Sequence, residues 1–287
     1  MQLTERMEGV VDRLASWPAL DRVAQPVAKA VGGAVGNGVV KDALSGTWIG
    51  HPLHPLLTDI PIGCWTSAFV LDIVGDERTE PAADLLIGLG TLSALPTAAA
   101  GLSDWSDTYG DDQRLGVAHA AGNVVAVVCY GLSWLRRRQG DRSRGVALSL
   151  LGATAVTAGA YLGGHLGWRR GVNVYRHAWT HGSHDWVVVG DDAALAEGSP
   201  MVVKAGDEDV MVVRHGGRVL AIANTCGHAG GPLNEGPIDD EGCVTCPWHQ
   251  SVFALDGGRV IHGPATGPQP AYEVRIADGQ VSVRRAG

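Results

Sequence analysis

Positive charge is scarce in this chain of 287 residues: 22 Lys and Arg stand against 30 Asp and Glu, a formal net charge of -8. Nucleic-acid binders need a basic face to neutralise phosphates, so that partner class is set aside. Cysteine is also sparse, five in all, and unevenly placed. Cys64 and Cys129 lie in apolar segments, whereas Cys226, Cys243 and Cys246 fall close together near several His. That pattern argues against a secreted disulfide framework and for a metal site. The N-terminus lacks a basic stretch followed by an apolar core and cleavage site, and it lacks a twin-Arg signal. A soluble domain is therefore expected on the side of the membrane where it was made.

What the first half does have is apolar length. Leu56 to Val74, Ala82 to Leu102, Leu115 to Leu135 and Val146 to Leu166 are each roughly twenty residues, enough to cross about 30 Å of hydrocarbon as helix. Asp59, Asp72 and Asp84 inside these runs favour buried soluble helices instead, but four such runs in series favour a membrane bundle. Small residues, including Gly159-x-x-x-Gly163, allow close helix approach. Ahead of the bundle, residues 1–47 form an arm with Leu14, Trp17, Leu20, Val23, Val27 and Val31 at helical spacing. It is expected to lie along a membrane surface and to be interrupted at Pro18 and Pro26, with a loosely ordered leader as the alternative.

Orientation is set by competing signals. The loop "RRRQGDRSR" (Arg136 to Arg144) prefers the cytoplasm. Against it stand Arg169, Arg170 and Arg176 after the fourth segment and Arg6, Arg13, Arg22, Lys29 and Lys41 before the first. Cytoplasmic termini are expected, in a bacterial inner membrane. With four crossings, His51, His54, Asp59, Asp104, His119, Asn123 and His165 fall at the bundle end from which the C-terminal half emerges. Ionisable residues in a bilayer are functional candidates by default. Two His on facing helices can ligate haem b iron axially, with Arg169 or Arg170 at the propionates. A quinone pocket and plain polar packing are the alternatives.

"HPLHPLLTDIPIG" (His51 to Gly63), "GLSDW" (Gly101 to Trp105), "VAHAAGN" (Val117 to Asn123) and "YLGGHLGWRRGVNV" (Tyr161 to Val174) together resemble an uncharacterised family of four-helix bacterial membrane proteins. The resemblance supports an all-α transmembrane bundle over residues 48–168 and assigns no chemistry.

Residues 169–183 read as a polar linker; with His184, which opens the next domain, His177 and His181 could bind a metal, but exposed linker residues are expected. From residue 184 to 287 the pattern turns to short alternating runs broken by Gly-Gly and Asp-Gly, the signature of antiparallel hairpins. Within them, Cys226-Gly227-His228 and Cys246-Pro247-Trp248-His249 offer two thiols and two imidazoles, a set that suits zinc or a mixed-ligand [2Fe–2S] cluster. Zinc usually draws on Cys-x₂₋₄-Cys or His-x₃₋₅-His pairs. Two separate Cys-His loops favour the cluster.

"CGHAGGPLNEG" (Cys226 to Gly236), "CPWHQSVFALDGG" (Cys246 to Gly258) and "HGPATGPQPAYEV" (His262 to Val274) closely resemble the Rieske family in its ferredoxin-like branch. The resemblance implies an all-β antiparallel sandwich with a cluster-binding subdomain. It implies one iron on Cys226 and Cys246 and an outer iron on His228 and His249 near the surface, covered by a loop containing Pro264. Gly231 and Trp248 stand where high-potential members carry a disulfide, so packing must hold the loops. Ser251 matches a hydroxyl donor to a cluster sulfur, and Phe253 replaces a Tyr donor; a low or middle potential is expected. Cys243 reads as a free strand thiol. The implied function is single-electron transfer between a reductase or oxygenase partner and a membrane-side acceptor or donor, with exposed imidazoles as the exit route and as a link to pH. A terminal oxygenase with a mononuclear iron on the bundle His and Asp59 or Asp104, or an iron–sulfur sensor, are the competing functions.

Overall fold

The computed structural model describes residues 3–287. The chain divides into two compact units, one ending its first segment at Val35 and resuming over Leu53–Val172, the other made of Gly36–Pro52 and Asn173–Gly287.

The first unit is helical. Its leading segment forms α1 (Leu3–Ala15) and α2 (Asp21–Val35). Pro18 starts a short 3-10 turn between them, where its missing N–H leaves no bond unmade. Pro26, expected to interrupt the arm, lies inside α2 instead, and Val11 and Ala15 pack on Leu115. Four long helices follow: α4 (Leu53–Val74), α5 (Glu80–Trp105), α6 (Gly110–Arg138) and α7 (Arg142–Gly164); α3 belongs to the second unit. Only 17% to 33% of each helix's most apolar window is buried inside the protein. The remaining apolar surface points outward, as a bilayer solvent requires and water does not.

Glycine sets how closely these helices meet. A Cβ on Gly88 would come 2.7 Å from the Trp134 ring, and one on Gly159 would come 2.9 Å from Asn123 Oδ1. The small-residue row of α7 thus takes side chains from α6. Near the turn between α6 and α7, Arg137 and Asp72, with side chains 0% and 3% exposed, form an ion pair. Arg137 Nη1 also reaches Asp84 at 2.9 Å, and Arg142 reaches Asp72 at 2.7 Å and Glu80 at 2.9 Å. Two of the acidic residues that argued for a soluble core, Asp72 and Asp84, are therefore neutralised by two Arg at a helix-bundle end.

The second unit is built on a six-stranded antiparallel sheet, in the order β1-β9-β8-β4-β3-β2: β1 (Val187–Asp191), β2 (Met201–Ala205), β3 (Glu208–His215), β4 (Arg218–Ala223), β8 (Ala271–Ala277) and β9 (Gln280–Arg285). Gly216 and Gly217 have φ of +58° and +74°, which lets the β3–β4 hairpin turn with the strands' own twist. Along β3, Met211 and Val213 enter one apolar cluster and Val210 and Val212 another, so both faces of the sheet are covered. Between β4 and β8 the chain inserts a small sheet of β5 (Cys243–Thr245), β6 (Val252–Ala254) and β7 (Val260–His262). Its Val244, Phe253 and Leu255 share a core with Met211, Val213 and Ile222.

The same unit includes a short helix, α3 (Val39–Ser45), and a 3-10 turn at Thr47–Ile49, more than 120 residues away in sequence. His177 is also part of it: expected as an exposed linker residue, it is 5% exposed, because two buried acceptors in the β-domain take both its ring nitrogens, as described below.

Candidate metal centre

Two loops of the inserted subdomain carry the thiols and imidazoles, and they share one backbone pattern. Cys226 N–H donates to Gly231 O at 2.8 Å and Gly230 N–H to Cys226 O at 2.9 Å. Twenty residues on, Cys246 N–H donates to Ser251 O at 2.8 Å and Gln250 N–H to Cys246 O at 3.0 Å. Each loop needs a left-handed residue at its fourth following position, supplied by Gly230 at φ +93° and Gln250 at φ +62°. For Gln250 that conformation costs about 1–3 kcal/mol.

The two loops pair their thiols with one another and their imidazoles with one another. Cys226 and Cys246 are both 1% exposed and hydrogen-bonded to one another. That bond, with burial second, pushes the Cys226 thiol up, while accepting it brings Cys246 down to about 6. Backbone N–H groups of His228 and Ala229 point at the Cys226 sulfur, and those of Trp248 and His249 at the Cys246 sulfur. Such donors stabilise a thiolate and, later, the negative charge of a reduced cluster. The rings of His228 and His249 stand 5.0 Å apart, centroid to centroid, and perpendicular. Burial, then the charges of His249, Lys41 and Arg176, lower His228 to about 3, which keeps its imidazole neutral and able to ligate.

Among the described residues no three His, Cys, Asp or Glu side chains close around a single point. The four donors form a thiol pair and an imidazole pair, which suits two irons better than one zinc. Nor does a triad of bundle His with Asp59 or Asp104 form.

Packing replaces a covalent link between the loops. A Cβ on Gly231 would lie 2.8 Å from Cys246 Sγ and 3.0 Å from Trp248 Cγ, so the Trp248 ring rests directly on the first loop. Ser251 Oγ, fully buried, accepts from Ala265 N–H at 2.9 Å and keeps its own proton to donate. Ala265 follows Pro264, whose peptide bond to Gly263 is cis. Phe253 is fully buried in the domain core, and Cys243, half-buried on β5, has its thiol pushed up by burial.

A model of the Rieske [2Fe–2S] domain matches residues 185–273, and the model of a family described as a predicted membrane protein (DUF2231) matches residues 50–176. The anthranilate 1,2-dioxygenase ferredoxin subunit of Burkholderia cepacia is 35% identical over 99 residues, which are 34% of this chain and 91% of that protein. The chain belongs to the Rieske [2Fe–2S] family. The cytochrome b6-f complex iron-sulfur subunit of Chlorobaculum tepidum is 31% identical over 97 residues, 34% of this chain and 52% of that one. Among solved structures, the ferredoxin of carbazole 1,9a-dioxygenase from Nocardioides aromaticivorans shares 31% identity, covering 35% of this chain and 98% of that one, with a TM-score of 0.34. The Rieske domain of this chain is therefore an electron-transfer module joined to a helical unit with four candidate membrane spans.

Several residues that support the Rieske loops carry no local sequence signal. Gln269, 2% exposed, donates to Ala223 O and Thr225 O at 3.0 and 2.8 Å and accepts from Gly227 N–H at 2.7 Å. His177 Nε2 donates to Thr225 O at 2.7 Å, and its Nδ1 faces Glu208 Oε1 at 2.5 Å. Glu208 also accepts from Tyr272 at 2.6 Å and Thr180 at 2.9 Å. Burial alone would raise its carboxyl, but the bonds from His177, Tyr272 and Thr180 outweigh burial and leave it below its ordinary value.

The polar residues of the helical unit do not all meet. His54 and His119 do, with ring centroids 6.4 Å apart and planes at 90°. His54 Nδ1 donates to Thr97 O at 2.9 Å and His119 Nδ1 to Gly159 O at 2.8 Å. Asn123 Nδ2 lies 3.2 Å from His119 Nε2. His165 sits instead in a π turn, His165–Arg169, beside a cleft of about 180 Å³ lined by Glu8, Asp12, Arg169 and Arg170. His51 belongs to the second unit, is exposed, and bonds its neighbour Pro52 O.

Proposed function

We propose that this chain is a membrane-anchored Rieske ferredoxin that passes single electrons between a soluble reductase or oxygenase and an acceptor or donor at the membrane. The observation that carries this reading is a buried thiol pair, Cys226 with Cys246, and an imidazole pair, His228 with His249, presented by the same two loops of a chain that also carries four apolar helices. The ferredoxin subunits among its relatives support the electron-transfer role. When bound, a [2Fe–2S] cluster supplies a one-electron centre, reduced by one electron from a donor and reoxidised by giving one to an acceptor. Cys226 and Cys246 would hold one iron and His228 and His249 the other. The N–H groups of residues 228, 229, 248 and 249, with the Ser251 hydroxyl, balance the added negative charge. The absence of a Tyr at position 253 keeps the potential low or intermediate, which disfavours direct quinol oxidation.

The test is an optical and EPR spectrum of the dithionite-reduced protein in detergent, with His249→Ala alongside. Wild type should show the Rieske bleaching and signal, and the variant should lose both while still partitioning into membranes. A wild-type spectrum from His249→Ala overturns the ligand assignment.

A second centre in the bundle is favoured by one observation: His54 and His119 each donate Nδ1–H to a carbonyl of a neighbouring helix, the arrangement that orients a ligating imidazole. In such a site Nε2 of His54 and of His119 would face the iron, and Asn123, 3.2 Å from His119 Nε2, would have to turn away. His51 and His165 take no part. Haem b bound there would carry electrons between the cluster and the membrane phase. Sharp haem bands in the same spectrum, lost in His54→Ala and in His119→Ala, test it; Rieske features alone reduce the bundle to an anchor.

A further inference from the structure

The imidazoles of the outer iron are expected at the surface, yet His228 Nδ1 and both ring nitrogens of His249 are buried. Residues from far upstream lie across these loops. Asn37 Nδ2 donates to Gln250 Oε1 at 2.7 Å, next to His249 and at the one non-glycine residue of the ligand loops with positive φ. Asp42 accepts from Gly263 N–H at 2.6 Å and from His262 Nδ1 at 2.9 Å. Thr47 Oγ1 donates to Ala265 O at 3.1 Å, and a Cβ on Gly263 would collide with that hydroxyl at 2.3 Å. Three side chains on one short segment thus hold the second ligand loop and the Pro264 loop. Between Asn37 and Thr47 sits Lys41, 3% exposed, within electrostatic reach of His228.

Resting on the function proposed above, we infer that Gly36–Pro52 is a built-in wall of the cluster site, in which Asp42 locks the Pro264 loop and Lys41 raises the cluster's potential. The physical reason is charge. Reduction adds one electron to a site already carrying two thiolates, and a buried cation nearby stabilises the reduced form more than the oxidised one. A lysine in open water would be screened and contribute little. Asp42 acts differently, by position: its carboxylate fixes Gly263, and through Ala265 N–H that loop sits on Ser251 Oγ.

The experiment uses the full chain in detergent. EPR-monitored redox titration of wild type is followed by Lys41→Met, Lys41→Arg and, as a control on the distant sheet edge, Lys204→Met. Lys41→Met should shift the midpoint to more negative potential, making reduction by a fixed donor about tenfold less favourable, roughly 59 mV for one electron. Lys41→Arg and Lys204→Met should stay at the wild-type value. Lys41→Gln replaces the methionine variant if that fails to accumulate with cluster. In parallel, Asp42→Ala should lose its cluster to a chelator several-fold faster than wild type, whereas Asp42→Asn, whose amide oxygen still accepts from Gly263 N–H, should not. An unchanged midpoint in Lys41→Met, or an Asp42→Ala protein that keeps its cluster like wild type, overturns the inference. A wild-type protein with no Rieske signal at all defeats the proposed function instead.

Discussion

Gly231 lies under the ring of Trp248, so close that a Cβ would come 3.0 Å from Trp248 Cγ and 2.8 Å from Cys246 Sγ. That contact joins the two ligand loops without a covalent bond. Gly231→Ala should therefore push either the ring or the thiol out of place, an overpacking cost of about 1–3 kcal/mol. The expected result is reduced iron content per chain and faster bleaching on warming. Trp248→Ala should accelerate bleaching without lowering initial iron content, since it removes cover but leaves every ligand in place. Iron assay and the visible spectrum during a thermal ramp separate the two; a Gly231→Ala protein with full iron and wild-type bleaching would show that the contact does not hold the loops.

How much of this was legible beforehand depends on sequence distance. Cys226, His228, Cys246 and His249 announce themselves because ligand spacing is local, and the apolar runs mark the long helices because bilayer thickness sets their length. Asp42 does not: its partners His262 and Gly263 are about 220 residues away, and an acidic residue in a polar stretch looks solvated. His177 was hidden for the same reason, because an exposed linker histidine and a buried one look alike until Glu208 and Thr225 are placed beside it. Pro26 misled in the other direction. A proline early in α2 requires only that one upstream carbonyl go without its bond, so the helix carries on through it.

The Glu208 network makes stability depend on acid in a definable direction. Its carboxyl is held below the ordinary value of 4.5 in the folded protein, so the unfolded chain binds the proton more readily. Its contribution is present above about 4.5 and is lost as pH falls through the folded value. Glu208→Gln should flatten the acid limb of the unfolding midpoint against pH and lower the midpoint at neutral pH, where His177 loses its carboxylate. Near-UV circular dichroism across pH 3–7 follows both, and an acid limb as steep as wild type would assign the effect to other carboxylates.

The ion network near the turn between α6 and α7 is expected to be independent of the cluster. Arg137→Met leaves Asp72, 3% exposed, with Arg142 still 2.7 Å away. Removing one partner of a buried pair costs about 3–5 kcal/mol, and the remaining Arg142 places this case below that range. Thermal unfolding of the detergent-solubilised protein should begin earlier by helical signal while the Rieske absorption per folded chain is unchanged. Loss of cluster in step with the helices would mean that the two units unfold as one.

The same two arginines bear on membrane orientation. The loop Arg136 to Arg144 is the strongest basic signal in the chain and by itself would place both termini outside. Arg137 and Arg142, however, have a structural task there, pairing with Asp72, Asp84 and Glu80, so their presence has an explanation other than topology. Arg169 and Arg170 stay with the end from which the Rieske domain emerges, and a cluster assembled before export would need a folded-protein route. A fluorescent protein fused after Gly287 should therefore mature and glow, and alkaline phosphatase fused at the same point should be inactive. An active phosphatase fusion would put the Rieske domain, and with it the soluble redox partner, on the outer side.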